Sequence, residues 1–564
     1  MNSEILGIVV LFVLTMLLAI PLGKYCSRVF LGEKTWLDFM LPAENLIYRI
    51  CRINPAKSMN WKENVKASLI LNLIFFLWAM LILLTQGWHP FGNPDHITSM
   101  EPTTAFNTAI SFMTNTNLQH YSGETSASYV TQLVVFCFLQ FVSAATGIAA
   151  MVSLFKGVLQ RQASDLGNFY VLFLKSCTRI LLPISIVVAI FLVFRGTPST
   201  FEGAAQVVSL QGDTVSVARG PVAPMVAIKQ VGTNGGGYFG PNSTHPFENP
   251  DYLTNLVENF AILIIPMALV FAFGYYIRKP KVGYAFFAAM TLVFVSFVAI
   301  TVYFESAGNP MISEMGIDNS AGSMEGKEVR FGTAASAFWG VSTTSTSNGS
   351  VNSMHDSQTP ISGGVYMLDM MINAIYGGAG VGFINFFVFV IIAVFISGLM
   401  VGRTPELLGK KIEAREVKIA ALVAILHPLL ILTGTAIASQ IQTNNPDIGW
   451  LANPSFHGFS EMLYEFTSSA ANNGSGFEGL GDATPFWNIL CGLCMLFGRF
   501  IPIIGPLAIA GSLAGKKYIP EGAGTLRIES PAFIAVLLSV IIIIAALSFF
   551  PALTLGPLAE HFSL

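Results

Sequence analysis

Long apolar runs dominate the chain, and shorter polar segments separate them. A helix needs about 20 mostly apolar residues to cross the hydrocarbon core of a bilayer. Ten runs of that kind predict ten membrane-spanning helices, called spans 1 to 10. They lie near residues 4–23, 68–86, 128–155, 169–194, 254–277, 283–304, 380–402, 417–440, 485–513 and 530–552. The pattern therefore predicts an all-α polytopic membrane protein.

Four of the segments between spans are long and contain an apolar stretch too short to cross a bilayer. These stretches predict four re-entrant helices, called pore helices 1 to 4, near residues 105–113, 223–231, 334–341 and 461–467. Each stretch runs into small polar residues and glycine. These runs, called pore loops 1 to 4, are residues 114–119, 233–237, 347–350 and 472–476.

The four pore loops recur at a nearly constant interval. Aligning Asn115, Asn234, Asn348 and Asn473 gives separations of 119, 114 and 125 residues. Such a period indicates an internal repeat, whose unit is span, pore helix, pore loop, span. The predicted organisation is an N-terminal span (1–30), four pseudo-symmetric repeats (67–157, 168–278, 283–403 and 416–515) around a central axis, and a C-terminal span (528–564).

The repeated unit suggests a pore. Irregular backbone at membrane depth is tolerated only where it is buried in protein or lines water. Four such loops around one axis can point main-chain carbonyls inward and replace the hydration shell of a monovalent cation. A single Asn/Gly run is more often an exposed turn. Four at near-equal spacing, each behind a half-length apolar stretch, favour a cation-selective pore.

Composition supports the membrane class, and the distribution of charge predicts an orientation. Residues are 53% hydrophobic and 11% charged, whereas a soluble protein carries about 25% charged residues. The net charge of −3 gives no argument for nucleic acid. Of the 29 Lys and Arg residues, 23 lie after an odd-numbered span or in the first half of the even-numbered span that follows it. Because cytoplasmic loops retain basic residues, the N-terminus is predicted outside.

Specific motifs add a family resemblance. The segments FNTAISFMTNTN (106–117), GTNGGGYF (232–239), MHDS (354–357), YEFT (464–467) and ANNGS (471–475) together resemble the potassium-binding A subunit of the bacterial Kdp-type potassium-transporting ATPase, within the K⁺ channel-like superfamily. The resemblance covers essentially the whole chain. It implies a subunit that binds extracellular or periplasmic K⁺ in a selectivity filter and delivers it for inward transport.

The resemblance also implies partners and a location. A P-type ATPase catalytic subunit would hydrolyse ATP, and small accessory membrane subunits would complete a hetero-oligomer in the bacterial inner membrane. K⁺ would be the transported ion, with ATP and Mg²⁺ only on the partner and no organic cofactor. The chain itself has no Asp-Lys-Thr-Gly motif and no GxxxxGK[ST] loop, so no catalytic site is predicted in it. The alternative is a stand-alone Trk/Ktr/HKT-like K⁺ channel or symporter, for which eight spans are expected.

The filter residues are carried over from the resemblance. They are Asn115, Thr116, Asn117, Gln119, Thr233, Asn234, Gly235, Gly236, Gly237, Ser347, Asn348, Gly349, Ser350, Asn472, Asn473, Gly474, Ser475 and Gly476. Glycines 235, 349 and 474 resemble those of the narrowest ring. The asparagine alignment places Thr116 at the matching position of the first repeat.

Two further features are gate candidates. Arg499 lies well inside span 9, where a charge is costly and usually faces a cavity or partner; it is interpreted as a brake or guide below the filter, or as a structurally satisfied side chain. A glycine segment, Gly377, Gly378, Gly380 and Gly382, opens span 7. It could form a hinge or allow close helix packing.

Two polar segments leave alternatives open. The charged stretch 403–415 could dock the pump subunit or form an interfacial helix. His355 and Asp356 are interpreted as hydrogen-bonding residues of the outer mouth rather than a metal pair.

Overall fold

The computed structural model describes residues 3–400, 402, 404–519 and 527–564 and is mostly helical. Ten helices of this part of the chain are long and apolar enough to cross a membrane. Each overlaps one of the ten predicted spans. In order, spans 1 to 10 are Ser3–Leu31, Trp61–Thr85, Thr131–Leu159, Phe169–Phe194, Tyr252–Tyr276, Pro280–Ala307, Val381–Met400, Ala414–Asn444, Pro485–Ala514 and Pro531–Leu553.

The spans form an inner and an outer set. In spans 3, 5, 7 and 9, 56–83% of the most apolar window is buried inside the protein, against 22–39% in the other six. The inner spans are the second spans of the four predicted repeats. Each repeat therefore contributes one helix to the centre and one to the periphery.

Four shorter helices lie between the first and second spans of the repeats. These pore helices 1 to 4 are Pro102–Met113, Val222–Val231, Gly332–Ser345 and Phe456–Ala471. Each contains the apolar stretch predicted for it, and their C-terminal halves are buried. Pore helix 1 lies beside span 9, where Asn107 Nδ2 donates to the Asn488 carbonyl at 2.9 Å. The first and fourth repeats are thus in contact.

Repeat 3 has an additional buried helix, Pro360–Ile372, that the sequence did not reveal. A glycine-rich connection joins it to span 7, with positive φ at Asn373, Tyr376, Gly377 and Gly380. Most of the glycine segment lies in this connection, and Gly382 lies in the first turn of span 7.

Two antiparallel hairpins interrupt the helical pattern. One pairs Ala205–Val208 with Thr214–Val217 ahead of pore helix 2, and the other pairs Glu406–Leu407 with Lys410–Lys411. The second hairpin lies within the charged stretch 403–415, so the prediction of an interfacial helix there is wrong; Arg403 itself lies outside the described residues. The hairpin is held by Lys410 Nζ, which donates to the Gly157 carbonyl at 2.9 Å.

Short helices complete the described chain. They are Trp36–Met40, Leu41–Ile50, Gln86–Trp88, Gly123–Ser126, Asn242–Thr244, Pro310–Glu314, His355–Ser357, Pro446–Ile448, Thr554–Leu558 and Ala559–Ser563.

Both ends of the chain contact the starts of pore helices. A Glu4 carboxylate oxygen accepts from the Ala334 N–H at 3.2 Å. His457 Nδ1 lies 2.8 Å from Glu560 Oε1. The start of span 1 and the segment after span 10 are therefore on the side of the membrane where pore helices 3 and 4 begin.

Candidate functional site

The four pore loops share one backbone conformation. Counting from Asn115, Thr233, Ser347 and Asn472, the first and third residues have φ in the left-handed region and the second does not. The positive values are Asn115 65°, Asn117 57°, Thr233 51°, Gly235 75°, Ser347 48°, Gly349 90°, Asn472 52° and Gly474 106°. Such values are uncommon outside glycine, so their fourfold recurrence indicates one built structure repeated four times.

This pattern corrects the alignment of the first loop. Asn117, not Thr116, occupies the place of Gly235, Gly349 and Gly474. Hydrogen bonds from the end of each pore helix agree: the N–H of Thr116 bonds the Ser111 carbonyl at 2.9 Å, as the N–H of Asn234 bonds the Lys229 carbonyl. Residue identity had matched Asn115 with Asn234 and was wrong by one position.

The loops touch in a closed ring. A Cβ added to Gly235 would stand 2.0 Å from the Asn348 carbonyl oxygen, and one added to Gly349 would stand 2.2 Å from that of Asn473. A Cβ on Gly474 would stand 2.0 Å from the Thr116 oxygen. Loop 2 therefore abuts loop 3, loop 3 abuts loop 4, and loop 4 abuts loop 1.

Side-chain amides bridge the same contacts. Asn348 Nδ2 donates to the Lys229 carbonyl at 2.9 Å, and Asn473 Nδ2 donates to the Thr343 carbonyl at 2.8 Å. These bonds join loop 3 to pore helix 2 and loop 4 to pore helix 3.

The remaining two contacts of the ring are bridged as well. Asn115 Nδ2 donates to the Thr233 carbonyl at 2.8 Å, and Asn472 Nδ2 donates to Thr116 Oγ1 at 2.9 Å. At the outer end of loops 1 and 2, Gln119 Oε1 accepts from the Gly237 N–H at 2.8 Å and its Nε2 donates to the Gly237 carbonyl at 3.1 Å.

One level of the ring carries four free main-chain oxygens. Within the described residues, no hydrogen-bond donor reaches the carbonyls of Thr116, Asn234, Asn348 or Asn473, and all four residues are 0% exposed. More than 90% of buried carbonyls in proteins are paired. Four buried carbonyls at equivalent positions nevertheless remain unpaired within the described residues.

The neighbouring levels are incomplete because loop 2 departs from the symmetry. The Gly235 carbonyl accepts from Asn242 Nδ2 at 2.7 Å, and the Gly236 carbonyl accepts from Gln140 Nε2 at 3.2 Å. On the other side of the complete level, towards the pore helices, the Thr233 carbonyl accepts from Asn115 Nδ2. Hydrogen bonds to loop 2 thus remove one ligand from the level on each side of the complete one.

A buried ion pair lies behind loop 2. Lys229, which stands where the other pore helices have Ser111, Thr343 and Ser468, is 0% exposed. Its ammonium bonds Asn242 Oδ1 at 2.8 Å and also contacts the Glu248 carboxylate. This pair was not predicted, although a lysine within a half-length apolar stretch is visible in the sequence.

A second ionic contact joins His120, the residue after loop 1, to pore helix 4. His120 Nε2 lies 3.1 Å from Glu465 Oε1, and Nδ1 lies 2.7 Å from Asn488 Oδ1. Because Asn488 Nδ2 donates to Thr103 and Thr104, its oxygen must face the imidazole and Nδ1 carries a hydrogen.

The charge state of His120 follows from its neighbours. Burial disfavours the imidazolium, but the carboxylates of Asp482 and Glu465 outweigh it and raise the pKa of His120 to about 9. The imidazolium therefore holds the outer part of loop 1 against pore helix 4.

The two gate candidates meet at Gly147 of span 3. Arg499 is 3% exposed and its Nη2 donates to the Ser143 carbonyl at 3.1 Å. A Cβ on Gly147 would stand 3.0 Å from that nitrogen and 2.3 Å from the Ala379 carbonyl oxygen. The Ala379 N–H in turn donates to Thr233 Oγ1 at 2.8 Å. The glycine segment and Arg499 therefore both lie near the end of the pore loops that follows the pore helices.

Just after loop 3, His355 and Asp356 make hydrogen bonds, as expected. His355 Nδ1 lies 2.8 Å from Tyr464 Oη, and Asp356 Oδ1 lies 2.9 Å from His457 Nε2. Burial lowers the pKa of His355 to about 3, so this imidazole is neutral.

Comparisons with known proteins bear on this site. A family model described as "Potassium-transporting ATPase A subunit" matches residues 9–562. Proteins named potassium-transporting ATPase potassium-binding subunit are similar over the full length of both chains, with 59% identity in Flavobacterium johnsoniae and 57% in Bacteroides fragilis. The protein of that name from Alicyclobacillus acidocaldarius is 48% identical over 99% of each chain.

A solved structure shares the fold. The crystal structure of the potassium transporter TrkH from Vibrio parahaemolyticus superimposes with a TM-score of 0.51, covering 89% of this chain and 98% of that one at 15% identity. At this identity the likeness concerns the fold alone.

Proposed function

The chain belongs to the family of potassium-transporting ATPase A subunits, and from this premise we propose that it binds K⁺ in the ring of its four pore loops. The observation that carries the proposal is the level of four buried, unpaired carbonyls of Thr116, Asn234, Asn348 and Asn473. Carbonyl oxygens arranged around one axis replace the water that a K⁺ ion sheds. Side-chain amides that bridge neighbouring repeats hold these four in place, among them those of Asn115, Asn348 and Asn473.

The pore helices assist the same ion. All four end where the pore loops begin, and the C-terminal end of a helix carries partial negative charge. Four such ends converging on one site favour a cation. Because the adjacent levels each lack one free carbonyl on loop 2, we assign the strongest binding to the level of Thr116.

Transport would depend on partner subunits. The similar proteins are named as subunits of a potassium-transporting ATPase, which favours a pump component over a stand-alone Trk-like channel or symporter. We place ATP and Mg²⁺ on a P-type ATPase partner, with small accessory membrane subunits in the same complex. Ten spans and the skew of basic residues support a multi-pass protein of the bacterial inner membrane with its N-terminus outside.

Arg499 and the glycine segment would control the inner end of the filter. The guanidinium and the Gly377–Gly382 connection both contact the neighbourhood of Gly147. A fixed positive charge there hinders K⁺ from leaving until the connection moves. Replacing Arg499 by Met should raise ATP hydrolysed per K⁺ transported, whereas Arg499→Lys should preserve the ratio; equal ratios in both variants would remove Arg499 from the pathway.

The deciding experiment uses the chain purified gently with its partners. ATP hydrolysis is titrated with K⁺ and, separately, with Na⁺. Stimulation by K⁺ at concentrations where Na⁺ has no effect is expected, and hydrolysis should disappear when the partners are stripped away. If nothing co-purifies and no K⁺-dependent hydrolysis is found, the Trk-like function becomes the better account.

A further inference from the structure

A basic pocket lies away from the filter, between the ends of spans 1, 3, 4 and 5. Three lysines line it, Lys57, Lys156 and Lys175, together with apolar side chains such as Phe30 and Leu159. Its cavity volume is about 390 Å³, within the range of ligand-binding clefts. Both a charged part and an apolar part are therefore available to one ligand.

The positive charge of this pocket is not fully neutralised by the protein. Lys156 is 2.7 Å from Asp165, and Lys57 is 3.7 Å from Glu63, with both side chains of that second pair largely exposed. Lys175 has no carboxylate within 4 Å in the described part of the chain, and its ammonium reaches only the Val29 carbonyl, at 3.4 Å. An anion would complete its environment.

The carboxylates nearest to Lys175 are already committed. Arg179, one turn further along span 4, bonds Glu44 at 2.6 Å and Asp38 at 2.8 Å. Arg179 is 4% exposed and Glu44 is 1% exposed, so this pair is fixed in the interior. Lys175 therefore stays half-buried without a counter-ion inside a membrane-spanning helix, where an unpaired charge is costly.

The location identifies the anion. Spans 1 and 4, which supply two walls of the pocket, belong to the outer set that faces lipid. The pocket lies at the ends of these helices, where phospholipid headgroups lie. Basic pockets between membrane helices on the cytoplasmic side bind phosphate-bearing headgroups, and the proposed orientation places these ends in the cytoplasmic leaflet.

We propose that the basic pocket binds an anionic phospholipid, with its phosphodiester beside Lys175 and Lys156 and its acyl chain along Phe30 and Leu159. The lipid would fill the space between spans 1, 3 and 4. Binding does not involve K⁺, so it is measured independently of the filter.

The test is native mass spectrometry of the full chain in neutral detergent, supplied with phosphatidylglycerol or phosphatidylcholine. Retained phosphatidylglycerol is expected in excess of phosphatidylcholine. One lysine near the membrane surface is worth about 1 kcal/mol, so Lys175→Gln should weaken phosphatidylglycerol binding about fivefold. Lys175→Arg keeps the charge and should keep the lipid.

Lys281→Gln is the matched control, since it removes an exposed lysine from the same predicted side. Thermal unfolding of each variant confirms that it is folded. Equal phosphatidylglycerol retention in Lys175→Gln and Lys281→Gln would overturn the proposal. So would displacement of the lipid by inorganic phosphate alone, which indicates a free-anion site. Exclusion of phosphatidylglycerol from the pocket in the assembled complex would instead assign it to an acidic segment of a partner.

Discussion

The Cα of Gly474 lies directly against the main-chain oxygen of Thr116, so that a Cβ at position 474 would stand 2.0 Å from it. This contact closes the ring between the fourth and first pore loops. It joins Gly474 to Thr116, whose carbonyl belongs to the proposed strongest K⁺ site. Both loops depend on this contact for their position.

Replacing Gly474 by Ala should therefore disrupt K⁺ binding. The new methyl would overlap the Thr116 carbonyl, and φ of 106° is a conformation that alanine resists. The half-saturating K⁺ concentration for ATP hydrolysis by the assembled complex should rise at least about tenfold, equivalent to ~1.4 kcal/mol.

Gly476→Ala is the control for that substitution. The nearest atom to its Cβ would be Glu465 Oε2 at 3.6 Å, and its φ is not positive. Affinity in this variant should remain within about twofold of wild type. Equal losses at positions 474 and 476 would show that the ring contact is not what limits binding.

The register of the first loop predicts opposite outcomes for two neighbouring residues. Asn117→Gly should preserve K⁺ affinity. The backbone there has φ of 57°, which glycine adopts readily, and among the described residues the side-chain amide of Asn117 has no hydrogen-bond partner. Thr116→Gly should weaken binding, since it removes the hydroxyl that accepts from Asn472. The half-saturating K⁺ concentration of each variant measures this, and the reverse order would support the alignment by residue identity.

Lys229 and Glu248 should stabilise the fold only when both partners of the ion pair are present. Lys229→Met leaves a buried carboxylate and Glu248→Gln leaves a buried ammonium, so each should lower the free energy of unfolding by about 3–5 kcal/mol. The double variant should recover much of the loss. Chemical denaturation in detergent measures these energies.

An exposed pair provides the comparison. Arg219 and Glu202 are 2.8 Å apart with side chains 34% and 73% exposed, and Glu202→Gln should cost less than about 1 kcal/mol. If Lys229→Met and Glu248→Gln each lower the free energy of unfolding no more than Glu202→Gln does, the buried pair is not important for stability.

Because of the His120–Glu465 contact, the stability of the fold should fall as pH rises into the alkaline range. Since the pKa of His120 is raised to about 9 in the folded chain from 6.5, its contribution is complete below pH 6.5 and is lost as pH rises through 9. The shift corresponds to a stabilisation on the order of 3 kcal/mol.

His120→Gln tests that contribution through thermal unfolding. The variant should melt well below wild type at pH 7, and the gap should narrow towards pH 10. His96→Gln removes an exposed histidine of the same outer segment and should give a smaller gap at pH 7. A His120→Gln gap that stays constant from pH 7 to 10 would mean that the imidazole is uncharged.

The spans and pore helices could be predicted because apolar length alone distinguishes a crossing helix from a half-length one. All ten spans and the four re-entrant stretches are found where the sequence placed them. Loop 1 was misaligned by one residue because identity matched Asn115 to Asn234, whereas backbone φ matches Asn117 to Gly235. Asparagine tolerates positive φ better than most residues, so it can stand where the other loops have glycine.

The side-chain contacts behind the filter could not be predicted. His120 and Glu465 are 345 residues apart in the chain, and the sequence does not indicate which carboxylate meets which imidazole. The hairpin at Glu406–Lys411 was missed for a similar reason: its strands are two residues long, and contacts to Gly157 hold it in place rather than a local propensity.

The contact between loops 1 and 4 also bears on how the chain is made. Asn472 and Thr116 are 356 residues apart, and bacterial ribosomes add about 5–20 residues per second. Roughly 20–70 seconds therefore pass between synthesis of the first loop and arrival of its partner. During that interval loop 1 lacks its contact with loop 4, and one side of the ring is open. The proposed ion site is thus completed only in the final phase of translation, because a nascent chain that stops before repeat 4 lacks the Asn473 carbonyl, one of the four oxygens of that site.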